Sequence, residues 1–539
     1  MALDHAPRRR RNARRRHTRS AAVATGVLIT GLLTVPAHAQ LGTGTDTGSG
    51  APIGTVARAV GDASFAPGPC PKTPEPIAEL EGARCGTLTV PENRTTPDGR
   101  KIKLGVAIVA AAADKPKSDP IVWLAGGPGD DAVGEAKMAI DGGLNRDRDV
   151  IFMSQRGTYS ADPALTCANI DEFNARATGL VYDAPSTGRE HVAATKTCRD
   201  KLAATGADLG TYNDIESSAD LADLRTALDI GQWNVFGISY GTQLALVHMR
   251  LHPEGVRSVG IDGILPPSTA GSALTWSAAK QGFDGLFKAC AEQPACNNRY
   301  PKLPATFERL VRDLEAKPVT TTVALPDGKR VKAVLDGGAL VNWMTSATHV
   351  AEQVPAALDE LAHGKPQRIA QQWAVAKYSP QAIGRTSHGL VYGVFCSEWT
   401  PYETEAQALR GGQEAFPSFP ASVQAQAPQL TFLREDCDAW NVPAAPASIR
   451  DVTTSDIPTL AISGGFDAQT GAANGPYVAR TLSRATVVTV PYQPHVVFAT
   501  SKCAQQITLS FFDSPTAPST GCVAALTPPP FEIGPAPAG

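Results

Sequence analysis

The chain has 539 residues, of which 42% are hydrophobic, 49 are lysine or arginine and 52 are aspartate or glutamate. This length and apolar content predict a large core divided between more than one structural unit. The first 39 residues hold eight arginines and one aspartate, so the net charge of the remainder is about −10, which argues against a nucleic-acid partner.

Residues 1–39 have the features of an export signal. Arginines precede an apolar stretch from Ala21 to Val35, and Ala37-His38-Ala39 is a small-x-small cleavage pattern. A membrane anchor is the alternative, but about 15 residues rich in alanine, glycine and threonine are short for a span. We expect cleavage near Ala39, secretion, and no membrane span in the mature chain, because no later stretch is long and apolar enough.

All ten cysteines follow the predicted signal. An even number of cysteines in an exported protein predicts disulfides, and we expect neighbouring cysteines to pair because each such pair closes a local loop. Metal binding is the competing interpretation, but the sequence has no Cys-x-x-Cys spacing. His248 and His252 have the i, i+4 spacing of a zinc peptidase and lack its glutamate. We therefore predict no metal site and no cofactor.

The most informative stretch is Trp233–Gly241. It has the pattern of a short buried strand that enters a Gly-x-Ser-x-Gly turn around Ser239, followed by helical apolar spacing as far as Pro253. Strand, tight turn and helix are the setting of a nucleophile elbow, in which a strained turn lifts a serine hydroxyl clear of a sheet. In the alternative interpretation Ser239 is an ordinary turn serine.

Predicted strands and helices alternate on both sides of a long helical segment, which favours an α/β fold with a mostly parallel sheet flanked by helices. We interpret the helical segment as an inserted cap over the active-site face. The expected divisions are a signal peptide (1–39), a flexible lead-in (40–66), the first part of the α/β core (67–265), the helical cap (266–455), the second part of the core (456–525) and a proline-rich tail (526–539).

Two local predictions concern the region before the elbow strand. Residues 160–213 have the composition of a loop-rich excursion that contains two of the cysteines. The helix that follows is expected to begin at a capping box of Ser217 and Asp220 and to end at Gly231.

Asp467 and His495 each follow a predicted strand near the end of the chain. The order Ser239, Asp467, His495 is that of the α/β-hydrolase arrangement and differs from the chymotrypsin and subtilisin orders. His495 would take the proton of Ser239 during attack on a carbonyl, and Asp467 would orient the imidazole. Asp262, at the end of an earlier strand, is the competing acid, and we favour Asp467.

Ala125-Gly126-Gly127-Pro128-Gly129-Asp130 follows another predicted strand. A phosphate-binding loop would carry a Gly-Lys-Ser/Thr ending or Rossmann spacing, and this loop has neither. In a serine hydrolase such a loop offers a backbone N–H to the oxyanion, and the residue after the nucleophile offers the other. We assign the two donors to the N–H groups of Gly127 and Tyr240.

From roughly Cys70 to Cys522 the chain resembles the secreted bacterial tripeptidyl aminopeptidases, relatives of the prolyl aminopeptidases within the α/β hydrolases. The resemblance implies an exopeptidase that binds peptides with a free N-terminus and releases short peptides. It also implies that Glu398 binds the substrate's N-terminal ammonium; the alternative is a solvated cap glutamate beside a disulfide. The motifs that carry the resemblance are Gly126-Gly127-Pro128-Gly129, Gln155-Arg156-Gly157, Gly237-Ile238-Ser239-Tyr240-Gly241, the Asp467/His495 segment and Cys396-Ser397-Glu398-Trp399.

The chain departs from the family pattern at Ala125, at Asp130-Asp131 and at Ser154, beside the predicted substrate pocket, so the length of peptide released stays open. The leading prediction is a secreted serine exopeptidase of tripeptidyl or prolyl type. A carboxylesterase acting on small esters with the same triad is the enzymatic alternative. A catalytically inactive hydrolase fold used for binding is the alternative of another class, and an intact Ser/Asp/His set speaks against it. The oligomeric state is open.

Overall fold

Residues 58–377 and 383–534 are described by a computed structural model, with side chains from residue 61 onward. The predicted signal peptide, residues 1–39, lies outside the described residues. Within the described ranges, no helix combines the length and apolar character that a bilayer crossing requires.

The strands form one large sheet and one separate hairpin. In chain order they are β1 (Arg58–Val60), β2 (Ala63–Pro67), β3 (Arg84–Pro91), β4 (Lys101–Val109), β5 (Ile121–Leu124), β6 (Val150–Met153), β7 (Ala161–Asp162), β8 (Trp233–Ile238), β9 (Val256–Asp262), β10 (Val319–Ala324), β11 (Arg330–Leu335), β12 (Thr459–Gly464) and β13 (Ala485–Val490).

The large sheet has the order β1-β2-β3-β4-β6-β5-β8-β9-β12-β13, with β7 beside β4. From β6 to β13 all neighbours are parallel, whereas β4 is antiparallel to β6. β5 and β6 exchange places relative to chain order, so each connection is a crossover that carries helices to a face of the sheet. From β3 to β13 this is the strand order of an α/β hydrolase, and the predicted fold class is confirmed.

The helices cover both faces of the sheet and make up most of residues 267–440. They are α1 (Ala136–Asp141), α2 (Ala168–Ala177), α3 (Pro185–Ala203), α4 (Asp214–Ala227), α5 (Tyr240–Leu251), α6 (Ser272–Ala291), α7 (Pro294–Arg299), α8 (Leu303–Ala316), α9 (Gly337–Ala347), α10 (Val354–Ala362), α11 (Gln367–Lys377), α12 (His388–Val394), α13 (Glu405–Ala415), α14 (Ala421–Ala425), α15 (Leu433–Trp440), α16 (Asn474–Ala479), α17 (Val497–Thr500) and α18 (Lys502–Asp513).

The elbow strand β8 is buried on both faces. Val235 packs in one large apolar cluster and Phe236 in another, because successive side chains of a strand point to opposite sides. Every residue of β8 is buried, which explains why its sequence is a continuous apolar run interrupted only by Asn234. The strand therefore holds the turn after Ile238 in a rigid position.

Residues 266–455, which we call the proposed cap, contain helices α6 to α15 and an apolar cluster around Trp276, Phe283 and Phe307. The antiparallel hairpin β10–β11 also lies in this segment, whereas the sequence predicts mainly helix there. Residues 526–534 of the predicted tail are extended and lie against the proposed cap, where Arg368 forms a two-pronged ion pair with Glu532 at 2.8 and 2.9 Å.

The pairing of neighbouring cysteines is confirmed. All ten cysteines of the chain form disulfides, and each joins two cysteines that are consecutive in the sequence. The pairs are Cys70–Cys85, Cys167–Cys198, Cys290–Cys296, Cys396–Cys437 and Cys503–Cys522.

Three local predictions are wrong. The loop-rich excursion, residues 160–213, holds α2 and the long helix α3, joined by one of the disulfides. The lead-in, residues 40–66, includes β1 and most of β2, which extend the sheet edge. Helix α4 is capped by Asn213, whose side chain accepts a hydrogen bond from the Glu216 N–H at 3.1 Å, and it ends before Gly231.

Candidate active site

The strands β5, β8, β9, β12 and β13 end at the same edge of the sheet. Their register places Leu124 opposite Gly237 and Ile238 opposite Asp262, with Gly464 opposite Val490. The segments that leave this edge contain the glycine-rich loop, Ser239, Asp467 and His495. Carboxyl ends of parallel strands are where α/β folds build their sites, because the loops after the strands converge there.

Ser239 occupies a strained turn between β8 and α5. Its backbone angles are φ 51° and ψ −123°, a conformation that non-glycine residues adopt only where the surroundings enforce it. Its N–H donates to the Asp262 carbonyl at 2.8 Å, and its carbonyl accepts from the Thr242 hydroxyl at 2.6 Å. A β-carbon on Gly237 would lie 2.3 Å from the Gly241 carbonyl oxygen, so the elbow requires glycine.

Asp467 and His495 meet side by side. His495 Nδ1 lies 3.0 Å from Asp467 Oδ2, and both residues are almost completely buried. Because a carboxylate accepts, Nδ1 carries the proton and Nε2 is left as an acceptor. Nε2 is shielded from solvent and has no hydrogen-bond partner in the described part of the chain.

Asp467 is held by its own turn. Its Oδ1 accepts the N–H groups of Gln469 and Thr470 at 2.9 and 3.0 Å, and its Oδ2 accepts the Thr470 hydroxyl at 2.6 Å. Sequence reasoning missed Thr470. The signal was present, because an aspartate followed by a polar residue two or three positions later is a common Asx-turn pattern.

Burial and charge act in opposite directions on this pair. Burial alone would raise the pKa of Asp467, but the charge of His495 and the hydrogen bonds from His495 and Thr470 lower it well below its usual range. Burial alone would lower the pKa of His495, yet Asp467 raises it above the ordinary value. The pair therefore favours an ionised carboxylate beside an imidazole that readily accepts a proton.

Asp262, the competing acid, contacts the backbone after the histidine. Its two oxygens accept the N–H groups of Val497 and Phe498 at 3.1 and 2.8 Å, which caps α17. Burial raises the pKa of Asp262 to about 7, and those backbone hydrogen bonds oppose the rise. Asp467 is therefore the carboxylate that contacts the imidazole. Asp262 fixes the backbone of the segment that follows His495.

Gly263, next to Asp262, lies against the imidazole. A β-carbon on Gly263 would be 2.6 Å from His495 Cε1 and 2.8 Å from Nδ1, so only glycine leaves room for the ring. Gly263 also follows the strand whose last carbonyl accepts the Ser239 N–H. Ser239 and His495 therefore flank the same strand end. A glycine after a strand is common, so the sequence does not mark Gly263 as a site residue.

The glycine-rich loop passes close to the serine. A β-carbon on Gly126 would lie 3.2 Å from Ser239 Cβ and 3.9 Å from Asp130 Oδ2, so this loop borders the nucleophile. The departures at 131 and 154 compensate each other, because the Ser154 hydroxyl donates to Asp131 Oδ1 at 2.8 Å. Gly127 and Tyr240, the predicted oxyanion donors, come from the loop and from the first residue of α5.

The arginine of the Gln-Arg-Gly motif links buried parts of the fold. Arg156 is completely buried and makes a two-pronged ion pair with Asp220, with both distances 2.8 Å. Its guanidinium also donates to the carbonyls of Glu92 and Thr211 at 2.7 and 2.8 Å. Asp220 is therefore engaged inside α4 and does not contribute to a capping box.

Glu398 is buried in a π-helical turn, Phe395–Trp399, so the alternative of a solvated glutamate is wrong. Its oxygens accept the Asp214 N–H at 2.8 Å and the Gln243 amide at 3.0 Å. The Tyr240 hydroxyl donates to Asp214 at 2.6 Å, which connects this group to the nucleophile turn. Burial, followed by the charge of Asp214, raises the pKa of Glu398 well above its usual range.

Comparisons with known proteins find similar sequences among hydrolases. Residues 424–524, which include Asp467 and His495, match a family model described as TAP-like protein. The chain is 30% identical over 243 residues to the serine protease Hip1 of Mycobacterium tuberculosis, covering 42% of this chain and 45% of that protein. It is 27% identical over 210 residues to the tripeptidyl aminopeptidase of Streptomyces coelicolor, covering 36% of each.

A third relative is the carboxylesterase B of Mycobacterium tuberculosis, 25% identical over 232 residues, covering 41% of this chain and 44% of that protein. The matches span less than half the length of these curated relatives. Among solved structures, proline iminopeptidase from Mycobacterium smegmatis is similar at a TM-score of 0.37 and 16% identity, covering 80% of this chain and 98% of that chain. The fold class follows from the strand order of the large sheet. The resemblance predicted from the motifs is confirmed.

Proposed function

We propose that this chain, which has the α/β-hydrolase fold, is a secreted serine exopeptidase that releases short peptides from free N-termini. The observation that carries the proposal is the buried hydrogen bond of 3.0 Å between His495 Nδ1 and Asp467, at the strand edge where the strained Ser239 also lies. The orphaned Nε2 of His495 supports it, because a general base needs a free ring nitrogen.

The proposed reaction is acyl transfer in two halves. Ser239 Oγ attacks the scissile carbonyl while His495 Nε2 takes the hydroxyl proton, and the N–H groups of Gly127 and Tyr240 stabilise the oxyanion. The imidazolium then gives its proton to the leaving amine, which departs with the C-terminal part of the substrate. Water, deprotonated by the same nitrogen, hydrolyses the ester on Ser239 and frees the N-terminal peptide.

The proposed cap would restrict the cleft to chain ends. Its segment around Ser387 and Val391 contacts the glycine-rich loop, because the Ser387 N–H donates to the Gly129 carbonyl at 2.9 Å. A β-carbon on Gly129 would lie 3.0 Å from Val391 Cγ2. Val391 also lines a cavity of about 330 Å³ with the aromatic side chains of Phe173 and Trp373. None of Ser239, Asp467 and His495 lines this cavity, so it would hold an apolar part of the peptide away from the scissile bond.

Glu398 can bind the substrate's ammonium group only if its hydrogen bonds with Asp214 and Gln243 can be exchanged for the new contact. Both oxygens already accept hydrogen bonds, and burial favours the neutral acid. An arriving ammonium would reverse that preference, since a cation beside a buried carboxyl lowers its pKa. The role therefore predicts that Glu398 matters for free N-termini and not for blocked ones.

A carboxylesterase is the second candidate, favoured by the relative of that name and served by the same Ser/His/Asp geometry. A panel of chromogenic tripeptides with free or acetylated N-termini, together with short-chain nitrophenyl esters, separates the candidates. We expect free peptides to be hydrolysed at least tenfold faster than acetylated ones, and Ser239→Ala to abolish turnover of all three. Hydrolysis of esters alone would establish the esterase, and inactivity towards the whole panel would favour a binding protein.

The same substrates test whether Glu398 binds the ammonium group of the substrate. Glu398→Gln should raise KM for free tripeptides about tenfold and leave the acetylated series unchanged, because a neutral amide gives up one charged hydrogen bond. Glu405→Gln, an exposed position of the proposed cap, is the matched control. Equal losses on free and acetylated peptides would assign Glu398 to the support of the fold.

A further inference from the structure

Three carboxylates converge where the turn between α2 and α3 meets the proposed cap. Asp183 comes from that turn, Glu315 from the end of α8, and Asp336 from the residue before α9. One oxygen from each side chain lies within 4.8 Å of the other two. None of the three belongs to the catalytic set or to the motifs that predicted it.

The backbone around the cluster is held in place. Asp336 Oδ1 accepts the Ala339 N–H at 2.7 Å, which caps α9, and Asp336 Oδ2 accepts the N–H groups of Tyr182 and Asp183. Glu315 accepts a hydrogen bond from the Ser422 hydroxyl. The carboxylates are therefore brought together by fixed elements of the fold and do not meet by the chance contact of mobile surface side chains.

Of the three carboxylates, Asp183 has the fewest groups around it that could stabilise its charge. Both of its carboxylate oxygens are shielded from solvent, and among the described residues only the Gly338 N–H favours their charge, at a geometry too poor for a regular hydrogen bond. The carboxyl group packs onto the backbone of Gly338, where a β-carbon would lie 2.0 Å from Asp183 Oδ1. A shielded carboxylate without partners is costly, and two further carboxylates beside it increase the cost.

We propose that Asp183, Glu315 and Asp336 bind a hard divalent cation, with Ca²⁺ as the expected ion in an exported protein. Carboxylate oxygens are the ligands that Ca²⁺ prefers, and it completes its shell of six to eight oxygens with carbonyls and water. A zinc or copper site would carry imidazole or thiolate, and these three side chains offer neither. The cation supplies the positive charge that the unpartnered oxygens of Asp183 lack.

The site would join two parts of the chain. Asp183 lies in the segment before the elbow strand, whereas Glu315 and Asp336 lie in the proposed cap. A bound ion would therefore fasten the proposed cap to that segment and stabilise the folded chain in proportion to its occupancy. Saturation at about a hundred times the dissociation constant should raise Tm by about 3–5 °C.

Terbium luminescence tests the site on the full mature chain, independently of peptidase activity. Tb³⁺ substitutes for Ca²⁺ and is excited through nearby aromatic rings; Tyr182 precedes Asp183, and its ring lies 5.3 Å from that of Trp373. After dialysis against chelator, we expect saturable emission at one ion per chain that Ca²⁺ displaces. Asp183→Asn should weaken Tb³⁺ binding at least tenfold, while Asp313→Asn, an exposed neighbour on α8, should leave it unchanged.

Thermal unfolding provides the second readout. In chelator, Asp183→Asn should be at least as stable as the wild type, because it removes a shielded charge that repels two others, but it should lose the Tm rise on adding Ca²⁺. Glu315→Gln should behave in the same way. The proposal is overturned if Ca²⁺ does not raise the Tm of the wild type, Tb³⁺ gives no saturable emission, and Asp183→Asn is more stable. That result would show that a proton neutralises the cluster.

Discussion

Gly263→Ala should disable the proposed enzyme without unfolding it. The new β-carbon would lie 2.6 Å from His495 Cε1, whereas ordinary contacts begin at 3.4 Å. The imidazole must therefore retreat by about 0.8 Å to reach a normal carbon–carbon distance. That movement pulls His495 Nδ1 away from Asp467 at 3.0 Å and from the Thr470 hydroxyl at 3.4 Å, so the ring and its free nitrogen leave their position.

A misplacement near 1 Å in a catalytic group costs about 100-fold in rate, or about 2.7 kcal/mol of transition-state stabilisation. We expect kcat/KM of Gly263→Ala to fall by about that factor. The backbone at residue 263 also has φ +71°, so alanine carries a conformational cost of about 1–2 kcal/mol. That cost must be separated from the effect on the imidazole.

Gly364→Ala is the matched control. Residue 364 has φ +75° and no atom within 4 Å of an added β-carbon, so it carries the same backbone cost without the collision. Gly263→Ala should lose about 1–3 kcal/mol more stability than Gly364→Ala because of the collision, and only Gly263→Ala should lose peptide hydrolysis. If the two variants hydrolyse the substrate within threefold of each other, the imidazole placement described above has no bearing on turnover.

Three further changes test other parts of the account. Asp467→Asn should reduce kcat by about 10³–10⁴-fold, and because the carboxylate raises the pKa of His495 above 6.5, the acid limb of the pH–rate profile should move to lower pH. Replacing Cys396 and Cys437 by serine opens a link across 41 residues and should cost about 4 kcal/mol in urea unfolding. Arg156→Met should cost about 1–3 kcal/mol in the same assay, because Asp220 keeps only Arg94 as an ion-pair partner and the Glu92 and Thr211 carbonyls lose a buried donor.

Each of these has an outcome that would contradict it. Activity depends on neutral His495, so activity is lost as the pH falls through the pKa of this histidine. If the acid limb of the pH–rate profile is unchanged in Asp467→Asn, the ionisation of another group limits the rate at low pH. A serine pair at 396 and 437 as stable as the wild type would show that the proposed cap does not need that link. An Arg156→Met variant as stable as the wild type would mean that the ion pair with Arg94 is sufficient for Asp220.

The fold class could be predicted because its signals are local, and the residues of the predicted triad were chosen from signals of the same kind. The elbow is recognisable within Trp233–Gly241, because the strand, the serine and the two glycines are adjacent in sequence. Strands β9 and β13 are likewise short, largely apolar runs with turn residues after them. The order of Ser239, Asp467 and His495 then required only the positions of three strand ends.

Contacts between distant segments could not be read in this way. Asn213 caps α4, although Ser217 and Asp220 have the better capping pattern, because Asp220 is engaged by Arg156 from a loop 64 positions earlier. The Asp183, Glu315 and Asp336 cluster draws on three segments, and no spacing along the chain marks it. Helix α3 was missed because its sequence is polar and its buried face is narrow, so its apolar periodicity is weak.

Glu398 shows how a motif can be located without its role. The resemblance places it in the proposed cap, and the structure buries it against Asp214 and Gln243, two residues with no motif of their own. Whether a carboxyl is solvated or buried depends on packing that composition does not encode. Its burial in a π-helical turn is nevertheless in keeping with function, because such turns are frequent at functional sites.

The most direct test of the central claim is the site of covalent labelling by a fluorophosphonate, which reacts only with an activated serine. Peptide mapping by mass spectrometry should find a single adduct on Ser239 in the wild type, in step with loss of peptide hydrolysis, and labelling should be at least 100-fold slower in His495→Ala. Full hydrolysis by a chain that carries the adduct, or an adduct on another residue that accompanies inactivation, would contradict the account.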